Sequence, residues 1–128
     1  MNLQLKGGLP FASVKVAYQG EVVEITDVLV DTGSGSTILS ADIVDAIGIT
    51  PLPEDILHII RGVDGSEFVL SRCVDYLQVG DRRLSDFEIE VGGMDYGFEI
   101  NGILGMDFLA RTEAVINLRD MRIEFGKI

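Results

Sequence analysis

Tryptophan is absent from this chain of 128 residues, and cysteine and histidine occur once each. A lone Cys73 cannot close an intramolecular disulfide, so the fold has to rest on its apolar core and a cytoplasmic location is expected. One Cys and one His do not make a zinc site, and the carboxylates show no calcium-loop spacing, so neither a metal nor another cofactor is predicted. A nucleophilic cysteine needs a basic neighbour, but the single histidine, His58, lies in the apolar run 56–60, so Cys73 is expected as a small buried hydrophobe. Basic residues are also scarce. Ten Lys and Arg against 21 Asp and Glu give a formal net charge of -11 and a pI near 4.3. Such a surface repels phosphate backbones and anionic lipid, which excludes nucleic acid and membrane as partners; most of the acidity serves solubility. No apolar run approaches the roughly 20 residues that cross a bilayer, and MNLQLKGGLP lacks the apolar core of a signal peptide. No Pro/Ser-rich linker divides the chain, and one domain over residues 1–128 is expected.

What is present is a hydrophobic fraction of 47% and 15 glycines, with Val, Ile and Leu prominent, which suggests short strands joined by tight turns. FASVKVAY (11–18) alternates, and Gln19-Gly20 turns it into a second strand, 21–30, that runs straight into Asp31. Ser40 is placed to cap a short helix, 41–47, whose Ile43, Val44 and Ile47 share a face and whose end is marked by Gly48. Pro51 and Pro53 then predict an extended connection. Runs 56–60 and 68–70 flank Asp64-Gly65 as a protruding hairpin, and 74–79 and 83–91 pair around Gly80-Asp81 before Gly92-Gly93 breaks the sheet. Ile103-Leu104-Gly105 leads into a helical turn, 106–110, and strands 114–118 and 121–125 close the chain around Arg119-Asp120.

One stretch, VLVDTGSGSTILS (28–40), puts a carboxylate at the end of a core strand, where burial opposes ionisation. The residues after it answer that problem. Gly33 lets main-chain N–H groups face the Asp31 carboxylate, Ser34 is able to donate a further hydrogen bond, and the Thr32 hydroxyl can tie this loop to another without adding charge. Asp-x-Gly alone is also the pattern of a turn in which Asp bonds its own backbone. Context sharpens it: an aliphatic run precedes the carboxylate, hydroxyl residues flank the glycine, and Ile103-Leu104-Gly105 offers a second close backbone crossing.

VLVDTGSGSTILS resembles the active-site loop of the aspartic proteases, and NGILGMDFL resembles the hydrophobic-hydrophobic-Gly element that packs against that loop in the family. With one Asp-Thr-Gly in the chain, the resemblance is to the single-domain, retroviral-type (retropepsin-like) members and not to the two-lobed pepsins. It implies a mostly β, single-domain retropepsin-like acid protease barrel with one or two short helices. By the same resemblance Asp31 matches the catalytic carboxylate, Thr32 the hydroxyl that braces two such loops, Gly33 the loop glycine and Ser34 the position beside the carboxylate. Gly62, Val63, Asp64 and Gly65 match the flap over the substrate, and Ile103, Leu104 and Gly105 support the catalytic loop. The implied function is an aspartic endopeptidase, a hydrolase acting as a homodimer on protein or peptide substrates. Two Asp31 groups share one proton and activate a water, with no covalent intermediate.

Two positions depart from the retroviral pattern. Gly35 stands where those members carry an acid that binds substrate backbone, and Met106 stands where they carry an interface Arg. A non-catalytic peptide-binding or dimerisation module on the same fold is therefore the alternative, and a small-barrel carrier of the lipocalin kind leaves the Asp-Thr-Gly-Ser loop unexplained. The terminal MRIEFGKI pairs either with 114–118 or with a partner's termini, and Val63, Phe68 and Phe98 are either pocket or core.

Overall fold

Alternating apolar residues build the first hairpin as expected. Strand β2 (Leu9–Tyr18) pairs antiparallel with β3 (Glu21–Val30), and Gln19 and Gly20 between them both take positive φ, at 50° and 85°, which suits the twist of a two-residue turn. A short β1 (Gln4–Lys6) adds to the outer edge of β2. The structure, a computed structural model, describes residues 1–55, 57–62, 65–94 and 100–126, with backbone only for 57–62 and 65–68.

The remaining strands are β4 (Ile38–Ser40), β5 (Leu57–Gly62), β6 (Gly65–Val79), β7 (Arg82–Gly92) and β8 (Gly102–Leu104). Their order across the sheet is β1-β2-β3-β8-β4-β7-β6-β5, and β2 also pairs with β6. The ladder β2-β3-β8-β4-β7-β6 therefore returns to β2 and closes a barrel, with β1 and β5 left as its outer strands. Val14, Val16, Ile25, Val28, Leu39, Leu77, Phe87, Ile89 and Leu104 fill it, each no more than 1% exposed.

Several sequence expectations shift. The helix begins at Ala41 but is only α1 (Ala41–Val44), continued by a 3₁₀ turn at Asp45–Ile47 and ended by Gly48 at φ 90°. The Ser40 side chain makes no capping bond. Instead of an extended connection, Leu52 to Asp55 form a tight turn, in which the Asp55 N–H donates to the Leu52 carbonyl at 3.0 Å with Pro53 at the second position that a turn favours. Runs 68–70 and 74–79 belong to one strand, because Ser71, Arg72 and Cys73 stay in register with Glu90, Ile89 and Glu88 of β7. Cys73 is exposed, not buried. It alternates with buried Arg72 and Val74, so strand periodicity turns it outward beside Glu88.

Arg72 can be buried because its charge is paired: it bonds Asp55 at 2.7 Å and donates to the Thr50 carbonyl and the Tyr18 hydroxyl at 2.9 and 3.3 Å. It fastens the Leu52–Asp55 turn to the barrel wall just before β5. At the far end, α2 (Met106–Leu109) is followed by β9 (Val115–Asn117) and β10 (Arg122–Glu124), which pair with each other. The Met1 amino group and the Leu3 N–H donate to the Ile123 and Met121 carbonyls at 3.1 and 2.7 Å. The C-terminal strand is thus held by β9 and by the chain's own N-terminus. Among the described residues no helix is long and apolar enough to cross a membrane.

Candidate active site

Asp31 gets its position from three strands. β8 lies parallel to β3, with Leu29 opposite Ile103 and Val30 opposite Leu104, and the Asp31 N–H extends that ladder by one bond to the Leu104 carbonyl at 3.0 Å. On the other side of β8 lies β4, antiparallel, with Ile38 opposite Ile103. The chain leaves β3 at Asp31, loops through residues 32–37 across the end of β8, and re-enters the sheet beyond it. Gly105 sits beneath that loop. A Cβ there would lie 2.3 Å from the Ser36 carbonyl oxygen and 2.9 Å from that of Ser34, so only glycine allows the crossing. The Met106 N–H donates to the Ser34 carbonyl at 2.7 Å and locks it.

Within the loop, Asp31 is half-buried while Thr32, Gly33 and Gly35 are exposed. The Gly33 N–H donates to Asp31 Oδ1 at 2.8 Å, the main-chain support expected for a carboxylate at a strand end. Ser34 does not add to it. Its hydroxyl donates to the Ser36 carbonyl at 2.8 Å, because the turn brings that oxygen, and not the carboxylate, within reach. Thr32 is exposed and its hydroxyl has no hydrogen bond to a described residue. Asp31 and Thr32 thus lie together at the exposed end of the loop, with Gly33 and Ser34 shaping it and Ile103, Leu104 and Gly105 beneath.

Two supporting residues escaped the sequence reasoning. Thr37, fully buried, accepts from the Gly105 N–H at 3.1 Å and donates to Asp107 Oδ1 at 2.7 Å. Asp107 also accepts from the Thr37 and Phe108 N–H groups at 3.0 and 2.8 Å. The chain Gly105 N–H to Thr37 hydroxyl to Asp107 carboxylate thereby ties loop, β8 and α2 together. The available signal was an Asp two residues after the crossing glycine, in the first turn of a helix, opposite a hydroxyl ending the Asp loop. Thr37→Val keeps the shape but leaves the buried Gly105 N–H without an acceptor and takes from Asp107 Oδ1 one of its two donors, the Phe108 N–H remaining, so a loss of about 2 kcal/mol is expected from the urea unfolding midpoint.

The flap assignment is only partly within view. Gly62 of β5 and Gly65 of β6 face each other in register, while Val63 and Asp64 lie outside the described residues, as do Phe98 and the Phe68 side chain. Met106, in the place of the retroviral interface Arg, is 40% exposed. Gly35 has open space around its Cα, with nothing within 4 Å of an added Cβ.

A β-barrel in which an Asp-Thr-Gly loop is crossed by a hydrophobic-hydrophobic-Gly strand defines the retropepsin-like class of fold. A crystal structure of a retropepsin-like aspartic protease from Rickettsia conorii superposes with a TM-score of 0.67 over 93% of this chain and 92% of that one, at 18% sequence identity. Residues 14–108 match the aspartyl protease family, and DNA damage-inducible protein 1 of Yarrowia lipolytica is 35% identical over 100 residues, 77% of this chain. The chain belongs to the aspartyl protease family. It spans only 24% of the length of that Yarrowia relative.

Proposed function

We propose that this protein is an aspartic endopeptidase whose active unit is a homodimer, with one Asp31 from each copy. The observation that carries the reading is the setting of Asp31: an accessible carboxyl at a strand end, held by the Gly33 N–H, on a loop that Gly105 and Thr37 fix from below. Peptide hydrolysis through water needs a base and an acid at one place, and the chain has one Asp-Thr-Gly loop. A twofold axis beside Thr32 supplies the second carboxyl at no cost in sequence. Two carboxyls in contact cannot both be charged, so one is ionised and its neighbour protonated. The ionised one takes a proton from water as that water attacks the peptide carbonyl. The protonated one donates to the carbonyl oxygen, and a proton then passes to the leaving nitrogen.

The termini of this chain bond to each other, so the dimer contact is drawn from the loop side, where exposed Thr32 and Met106 lie. That is a small, partly apolar contact, and a concentration-dependent association follows. Specific cleavage of an unstructured protein is expected to rise with enzyme concentration and to track the dimer fraction in analytical ultracentrifugation. Constant specific activity down to concentrations at which only monomer sediments contradicts the homodimer.

A further inference from the structure

The registers of four strand pairs line up in one row. Leu29 faces Ile103, Ile103 faces Ile38, Ile38 faces Glu90, and Glu90 faces Ser71. Residues directly opposite one another project from the same face of a sheet, and residues two apart on one strand share it. Asp31 follows Leu29 by two, so the row runs along the face that carries Asp31. The alternate residues confirm the sorting, since Val28, Val30, Leu39, Ile89, Val91 and Leu104 belong to the main core, whereas Ile103 clusters with Phe11, Ile100 and Leu29. From the acid outward, this face is therefore apolar for three strands and ends in a carboxyl and a hydroxyl.

Glu90 is anomalous in that position. Its main-chain N–H is used, donating to the Thr37 carbonyl at 2.9 Å, but its Oε2 is sealed from solvent with no hydrogen-bond partner among the described residues. A desolvated carboxylate oxygen without a donor is unfavourable. Ile38 beside it has nothing to donate. An ammonium or guanidinium group fits what is missing, because it brings donors and the opposite charge, and the Ser71 hydroxyl offers it a second acceptor.

We propose that Glu90, which as a residue is only half-buried, makes the face that carries Asp31 select a substrate with Lys or Arg close to the bond that is cut; this rests on the proteolytic reading above. The row spans three interstrand steps from β3 to β7, about 14 Å. An extended peptide advances roughly 3.4 Å per residue and a long basic side chain covers part of the distance, which places the basic residue about two to four positions from the scissile bond. Twofold symmetry puts one Glu90 on each side of that bond.

The test is cleavage-site profiling on a random, unstructured peptide library, with products sequenced by mass spectrometry. Wild type is expected to enrich Lys and Arg in that window roughly tenfold over library background, the ratio of a hydrogen bond to a charged group. The enrichment falls to background among bonds cut by Glu90→Gln and passes to Asp and Glu in Glu90→Lys. Equal profiles for wild type and Glu90→Gln, or no basic enrichment in wild type, overturn the proposal. If wild type cuts nothing, the proteolytic reading fails by itself, and fluorescence anisotropy then decides on Glu90. An Arg peptide bound about tenfold more tightly than its Ala counterpart by Asp31→Asn, but not by Asp31→Asn with Glu90→Gln, supports it; equal binding overturns it.

Discussion

Asp31→Asn is expected to abolish peptide cleavage while leaving the folded protein as stable as the wild type. The asparagine carbonyl oxygen can still accept from the Gly33 N–H, now 2.8 Å from Asp31 Oδ1, and the side chain keeps its size, so the loop has no reason to move. Stability should stay within about 0.5 kcal/mol. Chemistry changes completely, because an amide neither removes a proton from water nor gives one to the substrate oxygen. General acid and base catalysis each contribute roughly 10²–10⁴-fold, and in a homodimer both roles are lost together. Product formation should therefore fall by at least about 10⁴-fold, measured by chromatography of peptide digests beside a thermal unfolding curve. Activity retained by a folded Asp31→Asn protein contradicts the assignment.

Gly105→Ala is expected to have the largest effect on stability. The backbone at Gly105 has φ -101°, which any residue can adopt, so the cost is purely steric. An added Cβ would lie 2.3 Å from the Ser36 carbonyl oxygen and 2.6 Å from its carbon, and these are backbone atoms with no flexible end to swing away. The loop has to lift. The bonds from the Met106 N–H to Ser34 and from the Gly105 N–H to Thr37 then stretch or break. Overpacking costs about 1–3 kcal/mol and each stranded buried donor about 1–3 kcal/mol more. A total above about 3 kcal/mol is expected from urea unfolding, with cleavage lost even under conditions where the protein stays folded. Gly35→Ala is the control, since nothing lies within 4 Å of its added Cβ, and it should change stability by less than about 0.5 kcal/mol. Equal losses for the two variants contradict the crossing as the fixed point of the site.

Local patterns carried most of the fold. The alternation in β2 and β3, the Gln19-Gly20 turn and the Gly48 helix end are set by residues near in sequence, and all three were legible. So was the pairing of the Asp31 loop with Ile103-Leu104-Gly105, because a glycine after two aliphatics is what a close crossing requires. Strands β1, β4 and β8 were not legible as strands. Each is only three residues long, and they exist because distant partners hold them, so no period marks them. β6 was divided for the opposite reason: Arg72 breaks its apolar pattern, and only Asp55, Thr50 and Tyr18 explain why a cation is buried there. Cys73 was misplaced by composition, which favours buried cysteine, against strand alternation, which turned it outward. In the site, Asp31 and Gly33 hold the expected bond, whereas the partners of Ser34, Thr37 and Asp107 depend on how the loop turns in space.

The pairing of two Asp31 carboxyls across a twofold axis is tested most directly by a covalent tandem of two copies joined by a flexible linker, with Asp31→Asn in neither, one or both halves. Each tandem is assayed on the same unstructured protein at a concentration low enough to prevent association between tandems. The unsubstituted tandem should cleave, and the tandem with a single Asp31 should be as inactive as the one with none. A single-acid tandem that keeps half the activity would show that each copy works alone and would contradict the shared site.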